Sequence, residues 1–142
     1  MKFTNKQDTE KWVKEQAKTL QAGDVVRLDG DLGAGKTQFV QWIGESLGVT
    51  SPITSPTFSL LQSYDSANGK IYHLDLYRLE DPQEIEGLDY EEYFYSETAI
   101  TFIEWAERVE DYLPSDYIHL EIVKGKGEER EIIVHSDSHH FR

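Results

Sequence analysis

Apolar positions recur at helical spacing near the start of the chain. Trp12, Val13, Ala17 and Leu20 fall on one face of a segment predicted to be helical from Asp8 to Gln21, closed by Gly23. "DVVRLDG" is a short apolar run, predicted to be a buried strand feeding a glycine-rich stretch. Helical spacing returns in "KTQFVQWIGESLG", apolar at Phe39, Val40, Ile43 and Leu47 and stopped by Gly48. "TSPITSPTF", broken by Pro52 and Pro56, is predicted to be a loop. "SLLQSYDSANGKIYHLDLY" reads as two strands joined at Asn68-Gly69. "EDPQEIEGLDYEEYF" begins as a turn and continues as short acidic helical pieces. "AITFIEW" is a compact apolar strand, and "AERVEDYL" a short helix before Pro114. "YIHLEIVKGKGEEREIIVHSD" alternates like a hairpin turning between Gly125 and Glu129. Helices and strands alternate early and hairpins collect late. This order predicts an α/β fold, a mixed sheet flanked by helices with a C-terminal antiparallel hairpin.

Composition narrows the class. The 142 residues suit one domain over 1–142, with 135–142 read as a flexible tail. Without cysteine there is neither a disulfide framework nor a thiolate metal site. No apolar run approaches the roughly 20 residues that span a bilayer, and "MKFTNKQDTEKWVKEQ" is too polar for a signal peptide. The expectation is a soluble cytoplasmic protein with no membrane association. Charge then removes a further class. The 27 acidic residues outnumber the 14 basic ones, for a net charge of −13, and the basic residues are scattered. Direct nucleic-acid binding needs clustered Lys and Arg, so any role near RNA is expected to run through a partner protein.

The candidate chemistry starts at "GDLGAGKT", Gly30 to Thr37. Gly30, four residues, then Gly35-Lys36-Thr37 is the spacing of a phosphate-binding loop between a strand and a helix. Glycines let backbone N–H groups converge on phosphate oxygens, and the helix N-terminus adds partial positive charge. The predicted nucleotide-binding segment runs through Asp31, Leu32, Gly33, Ala34, Gly35, Lys36, Thr37 and Gln38. Lys36 would reach the β and γ phosphates, and the Thr37 hydroxyl would meet Mg²⁺. Such a site needs further carboxylates at strand ends. Asp75 in "IYHLDLYR" and Glu104 in "ITFIEW" are the candidates, one for the metal and one to orient or deprotonate water. The residues alone do not divide those roles.

Other features carry less. Trp105 could cover the nucleotide or fill the core. Thr57 could sense a γ-phosphate or be an ordinary loop hydroxyl. His73 could neighbour the site or pack inside, and Arg78 could stabilise charge or pair with a surface acid. "HSDSHH" is read as a polar tail rather than a metal site. "NKQD", Asn5 to Asp8, matches a guanine-reading pattern, yet it stands before the first helix and is read as its cap.

Taken in order, "GDLGAGKT", "SPTF", "YHLDLYR", "DP" and "IEW" resemble the bacterial TsaE (YjeE) family from about Thr4 to Val134. The resemblance implies a small P-loop ATPase with a mixed sheet flanked by helices. It implies ATP and Mg²⁺ binding, weak hydrolysis by the protein alone, and a role in threonylcarbamoyladenosine modification of tRNA. It implies association with the TsaB–TsaD heterodimer, with tRNA reached only through that complex. By residue, it assigns Lys36 and Thr37 to phosphate and metal and Glu104 to the second Mg²⁺ contact. It also assigns Asp75 to hydrolysis, Trp105 to the nucleotide site, and Thr57 to a switch-like threonine.

The alternative is a small-molecule or nucleoside kinase. Such enzymes close an arginine-bearing lid over the phosphates. The chain has five arginines and no arginine-rich insertion.

Overall fold

The computed structural model describes residues 1–31, 33–53, 60–67 and 69–135. Seven strands form one sheet: β1 (Lys2–Phe3), β2 (Val25–Asp29), β3 (Leu61–Ser66), β4 (Gly69–Asp75), β5 (Ala99–Glu104), β6 (Ile118–Lys124) and β7 (Arg130–Val134). Their order is β1-β7-β6-β2-β5-β4-β3. The central strands β6, β2, β5 and β4 run parallel. The pairs at the flanks, β3–β4, β6–β7 and β1–β7, are antiparallel. The mixed sheet and the terminal hairpin are therefore as the sequence predicts. The two-residue β1 is an addition, held by Phe3 opposite Arg130.

Helix α1 spans Lys6–Ala17 and ends earlier than its apolar pattern predicts. Its cap is Asn5, whose side chain accepts the Asp8 N–H at 2.8 Å, so "NKQD" is a helix start. After Ala17 the chain turns, yet Leu20 remains buried and extends the apolar stripe past the helix end. Helix α2 spans Lys36–Ser46 and buries Phe39, Val40, Trp42 and Ile43. Both helices cover one sheet face, packing Trp12, Val13, Phe39 and Ile43 with Val26, Leu28, Ile100 and Phe102. The other face is covered by two 3-10 helices, Pro82–Leu88 and Ala106–Tyr112, and by α3 (Tyr90–Phe94). There Ile85, Phe94, Ala106 and Val109 meet Val25, Leu74 and Ile103. The segment read as a helix after Trp105 is a 3-10 turn broken at Val109, whose φ is −137°.

Covering both faces explains why β5 is mostly apolar: every residue from Ala99 to Glu104 is buried, and the one hydroxyl within it, on Thr101, donates to the Tyr93 carbonyl at 2.6 Å. Burial of that kind is worth about 1.5–3 kcal/mol per large side chain. It also makes an acid at the end of the strand costly unless something satisfies it. His135 follows β7 and is joined to the sheet, its N–H donating to the His119 carbonyl at 3.0 Å.

Candidate functional site

The glycine loop leaves β2 and enters α2. Gly35 occupies the position before the helix with φ 104°, a left-handed conformation that suits glycine. At the other end, Gly30 lies against β6, where a Cβ would stand 2.8 Å from the Ile122 carbonyl oxygen. Among the described residues, a Cβ built on Gly33 or Gly35 meets no atom within 4 Å, so none of them fills the space in front of the loop. The Ala34 N–H donates to the Asp31 carbonyl at 3.0 Å. Among the described residues no protein acceptor takes the N–H groups of Gly33, Gly35, Lys36 or Thr37. The loop thus presents unpaired donors at a helix N-terminus. Asp31, Gly33, Ala34, Gly35, Lys36, Thr37 and Gln38 all lie on it; Leu32 falls outside the described residues.

Lys36 is buried, 5% exposed. Its ammonium donates to the Gly30 carbonyl at 2.6 Å and stands 4.0 Å from the centre of the Trp105 ring. Among the described residues it pairs with no carboxylate. A buried ammonium with one carbonyl and a ring face for partners retains capacity for an anion. Trp105 holds its position with φ 61°, a conformation that costs a tryptophan about 1–2 kcal/mol. The Tyr77 ring packs on it at 4.9 Å.

Asp75 and Glu104 stand opposite each other at the ends of β4 and β5, in the parallel register. Glu104 is 3% exposed. The fully buried His73 donates from Nε2 to Glu104 Oε2 at 2.5 Å. His73 Nδ1 has no partner among the described residues. Placing the hydrogen on Nε2 leaves only an acceptor unpaired, a lesser cost than a buried orphan N–H. Asp75 is half-buried, and its Oδ1 accepts the Tyr77 N–H at 3.0 Å. Burial pushes the Asp75 carboxyl above its usual range. The Tyr77 hydrogen bond opposes that rise, the Glu104 charge adds to it, and His73 and Lys36 moderate it.

The sequence-predicted residues therefore gather into one place: the loop, Lys36, Asp75, Glu104 and Trp105. Thr57 and the rest of "SPTF" lie outside the described residues, as do Asn68 of the β3–β4 turn and Ser136 to Arg142. His73 belongs to the site through Glu104. Arg78 stays exposed. Sequence reasoning missed Arg27, whose Nε donates to Asp29 Oδ1 at 3.0 Å while another nitrogen meets Glu110 at 3.2 Å. Burial works against the Arg27 charge, yet the bond to Asp29 and its attraction outweigh that and raise the pKa. Asp29 also accepts from His119 Nε2 at 2.7 Å, directly before the loop begins. An arginine inside an apolar strand, two residues from an aspartate, was the available signal.

Beside the loop lies a cavity of about 210 Å³. Gly35, Gln38, Phe39, Trp42, Ile122 and Arg130 are among the residues lining it.

A strand running into an open glycine loop and helix, inside a mixed sheet with two acids at neighbouring strand ends, defines a P-loop NTPase-like α/β protein. The model of the family described as "Threonylcarbamoyl adenosine biosynthesis protein TsaE" matches residues 3–132. The chain belongs to that family. It is 40% identical over 128 residues to the tRNA threonylcarbamoyladenosine biosynthesis protein TsaE of Bacillus subtilis (strain 168), covering 90% of this chain and 79% of that one. It is 49% identical over 110 residues to the protein of the same name from Nostoc sp., covering 75% and 67%. A crystal structure of Bacillus subtilis YdiB superposes with a TM-score of 0.81 at 30% identity, covering 99% of this chain and 86% of that one.

Proposed function

We propose that this protein acts in biosynthesis of threonylcarbamoyladenosine in tRNA as a cytoplasmic, ATP-binding and slowly ATP-hydrolysing accessory protein. It would support turnover of the TsaB–TsaD synthase and reach tRNA only through that complex. The observation that carries the nucleotide part is the Lys36 ammonium. It is nearly buried, without a carboxylate partner among the described residues, and sits under an open loop of unpaired N–H groups. Such a site suits a triphosphate tail. The adjoining cavity offers an apolar place for the nucleoside.

The donor set also fits Mg²⁺. Thr37 and Glu104 would supply hard oxygen ligands, and His73 orients the Glu104 carboxylate. Bound Mg²⁺ would neutralise charge developing on the phosphates. In this reading Lys36 leaves the Gly30 carbonyl for the β and γ phosphates, and the loop N–H groups hold the phosphate oxygens. Asp75, with its affinity for protons raised, orients the attacking water. Trp105 closes the site beside Lys36. The acidic chain agrees with leaving the RNA contact to a partner.

The test is phosphate release from Mg²⁺–ATP, measured for the protein alone and with purified TsaB–TsaD. Slow release alone, faster release with the heterodimer and loss of both in Lys36→Ala are expected. Absence of nucleotide binding, with and without the heterodimer, would overturn the proposal.

A further inference from the structure

Arg130 opens β7 and reaches back to a loop 96 residues earlier. Its Nε donates to the Ala34 carbonyl at 3.1 Å. One terminal nitrogen donates to the carbonyls of Gly127 at 2.9 Å and Glu129 at 2.7 Å. No carboxylate pairs with this guanidinium among the described residues. The same side chain lines the cavity beside Gly35 and Gln38.

Ala34 is the fixed point of the glycine loop. Its residue is 2% exposed, its N–H is held by the Asp31 carbonyl, and its own carbonyl is held by Arg130. The Ala34 carbonyl and the Gly35 N–H belong to one trans peptide plane and therefore point in opposite directions. Drawing the carbonyl towards Arg130 therefore fixes the opposite direction of the Gly35 N–H. Gly35 has no side chain to fix that plane, so the constraint has to come from outside the loop.

We infer that Arg130 is a positioning residue for the phosphate loop. It sets the Ala34–Gly35 peptide plane and couples it to the turn between β6 and β7. Nucleotide affinity then depends on a hairpin that contributes nothing to the glycine motif. A planar guanidinium bridges three carbonyls in fixed directions, and a lysine ammonium reproduces the charge without the fork. A loop held ready before binding loses less freedom when it binds.

The affinity part of this inference rests on the nucleotide reading above; the loop part does not. Arg130→Ala and Arg130→Lys are compared with the unchanged protein for ATP affinity, for the split between KM and kcat, and for amide exchange without nucleotide. Arg130→Ala is expected to weaken ATP binding about tenfold and to raise KM with little change in kcat. It is expected to speed exchange at the Ala34 N–H, which the Asp31 carbonyl holds, while β5 stays protected. Arg130→Lys should fall between the two, and it serves alone if the alanine variant does not fold. Unchanged ATP affinity with unchanged loop exchange overturns the inference. So does faster exchange spread evenly through β5, which marks general loosening. If the unchanged protein binds no nucleotide, the proposed function fails, and loop exchange still decides the role of Arg130.

Discussion

The imidazole of His73 and the carboxylate of Glu104 meet at 2.5 Å between neighbouring parallel strands, both buried. The pair accounts for an acid at the end of a strand otherwise given over to apolar contacts. Removing the histidine leaves a buried carboxylate without that partner. His73→Ala is therefore expected to cost about 3–5 kcal/mol of folding stability. Glu104→Gln keeps an acceptor for Nε2–H and should cost much less. Urea unfolding of both variants and of the double variant checks this, and a coupling energy near zero would contradict it.

Lys36 and Trp105 give an optical handle. The ammonium stands 4.0 Å from the ring centre, a contact worth about 0.5–2 kcal/mol. A bound triphosphate draws the ammonium towards its phosphates and off the ring. ATP is expected to change tryptophan emission, and the change should shrink in Trp105→Phe, which leaves only Trp42, beside the cavity proposed for the nucleoside, to respond. Lys36→Ala should weaken binding by about 100-fold or more, in keeping with loss of a charged contact. Titration of emission against ATP measures both.

Asp75 carries a conflict between stability and function. Its proton affinity is higher in the folded protein, so the folded state holds that proton to higher pH than the unfolded chain does. The favourable contribution is full below the ordinary carboxylate value, where both states hold the proton. It is lost as pH rises from the ordinary carboxylate range through the raised value. At neutral pH Asp75→Asn removes the cost of ionising the group and should raise the thermal midpoint. At acid pH the two proteins should converge. The same change is expected to slow hydrolysis by about 100-fold or more while ATP still binds. Calorimetry across pH and single-turnover hydrolysis test the two halves separately.

Gly35→Ala separates the loop's shape from its packing. No neighbour among the described residues crowds the added methyl, but the backbone conformation at φ 104° penalises it by about 1–2 kcal/mol. The methyl would project into the open space assigned to phosphate. A folded protein with a slightly lower thermal midpoint and at least about tenfold weaker ATP binding is expected. Equal ATP affinity would show that phosphate lies elsewhere.

Much of this could be read from the residues, because the signals were local. Phe39, Val40 and Ile43 repeat at helical spacing, and they bury one face of α2. Asp75 and Glu104 each end an apolar run, and the parallel register sets them side by side. What escaped was pairing across sequence distance. The ring of His73 finds Glu104 31 residues away, and Arg130 finds Ala34 96 residues away. No spacing rule encodes either meeting. Strand β1 was missed because two residues have no period, and α1 was drawn too long because Leu20 stays buried beyond the helix end. The break falls at Val109, which is buried in the cluster that also holds Ile85, Phe94 and Leu74, a tertiary setting that local spacing does not show.

The matched ends of β4 and β5 make the site a gauge of how the sheet was zipped. If β4 slid by one residue, Leu74 would face Glu104 in place of Asp75, and His73 would turn from the position where it meets the acid. Such a chain could still be compact and rich in strand, yet its two acids would no longer be aligned. The fraction of purified molecules able to turn over would then count those whose central strands had closed in step.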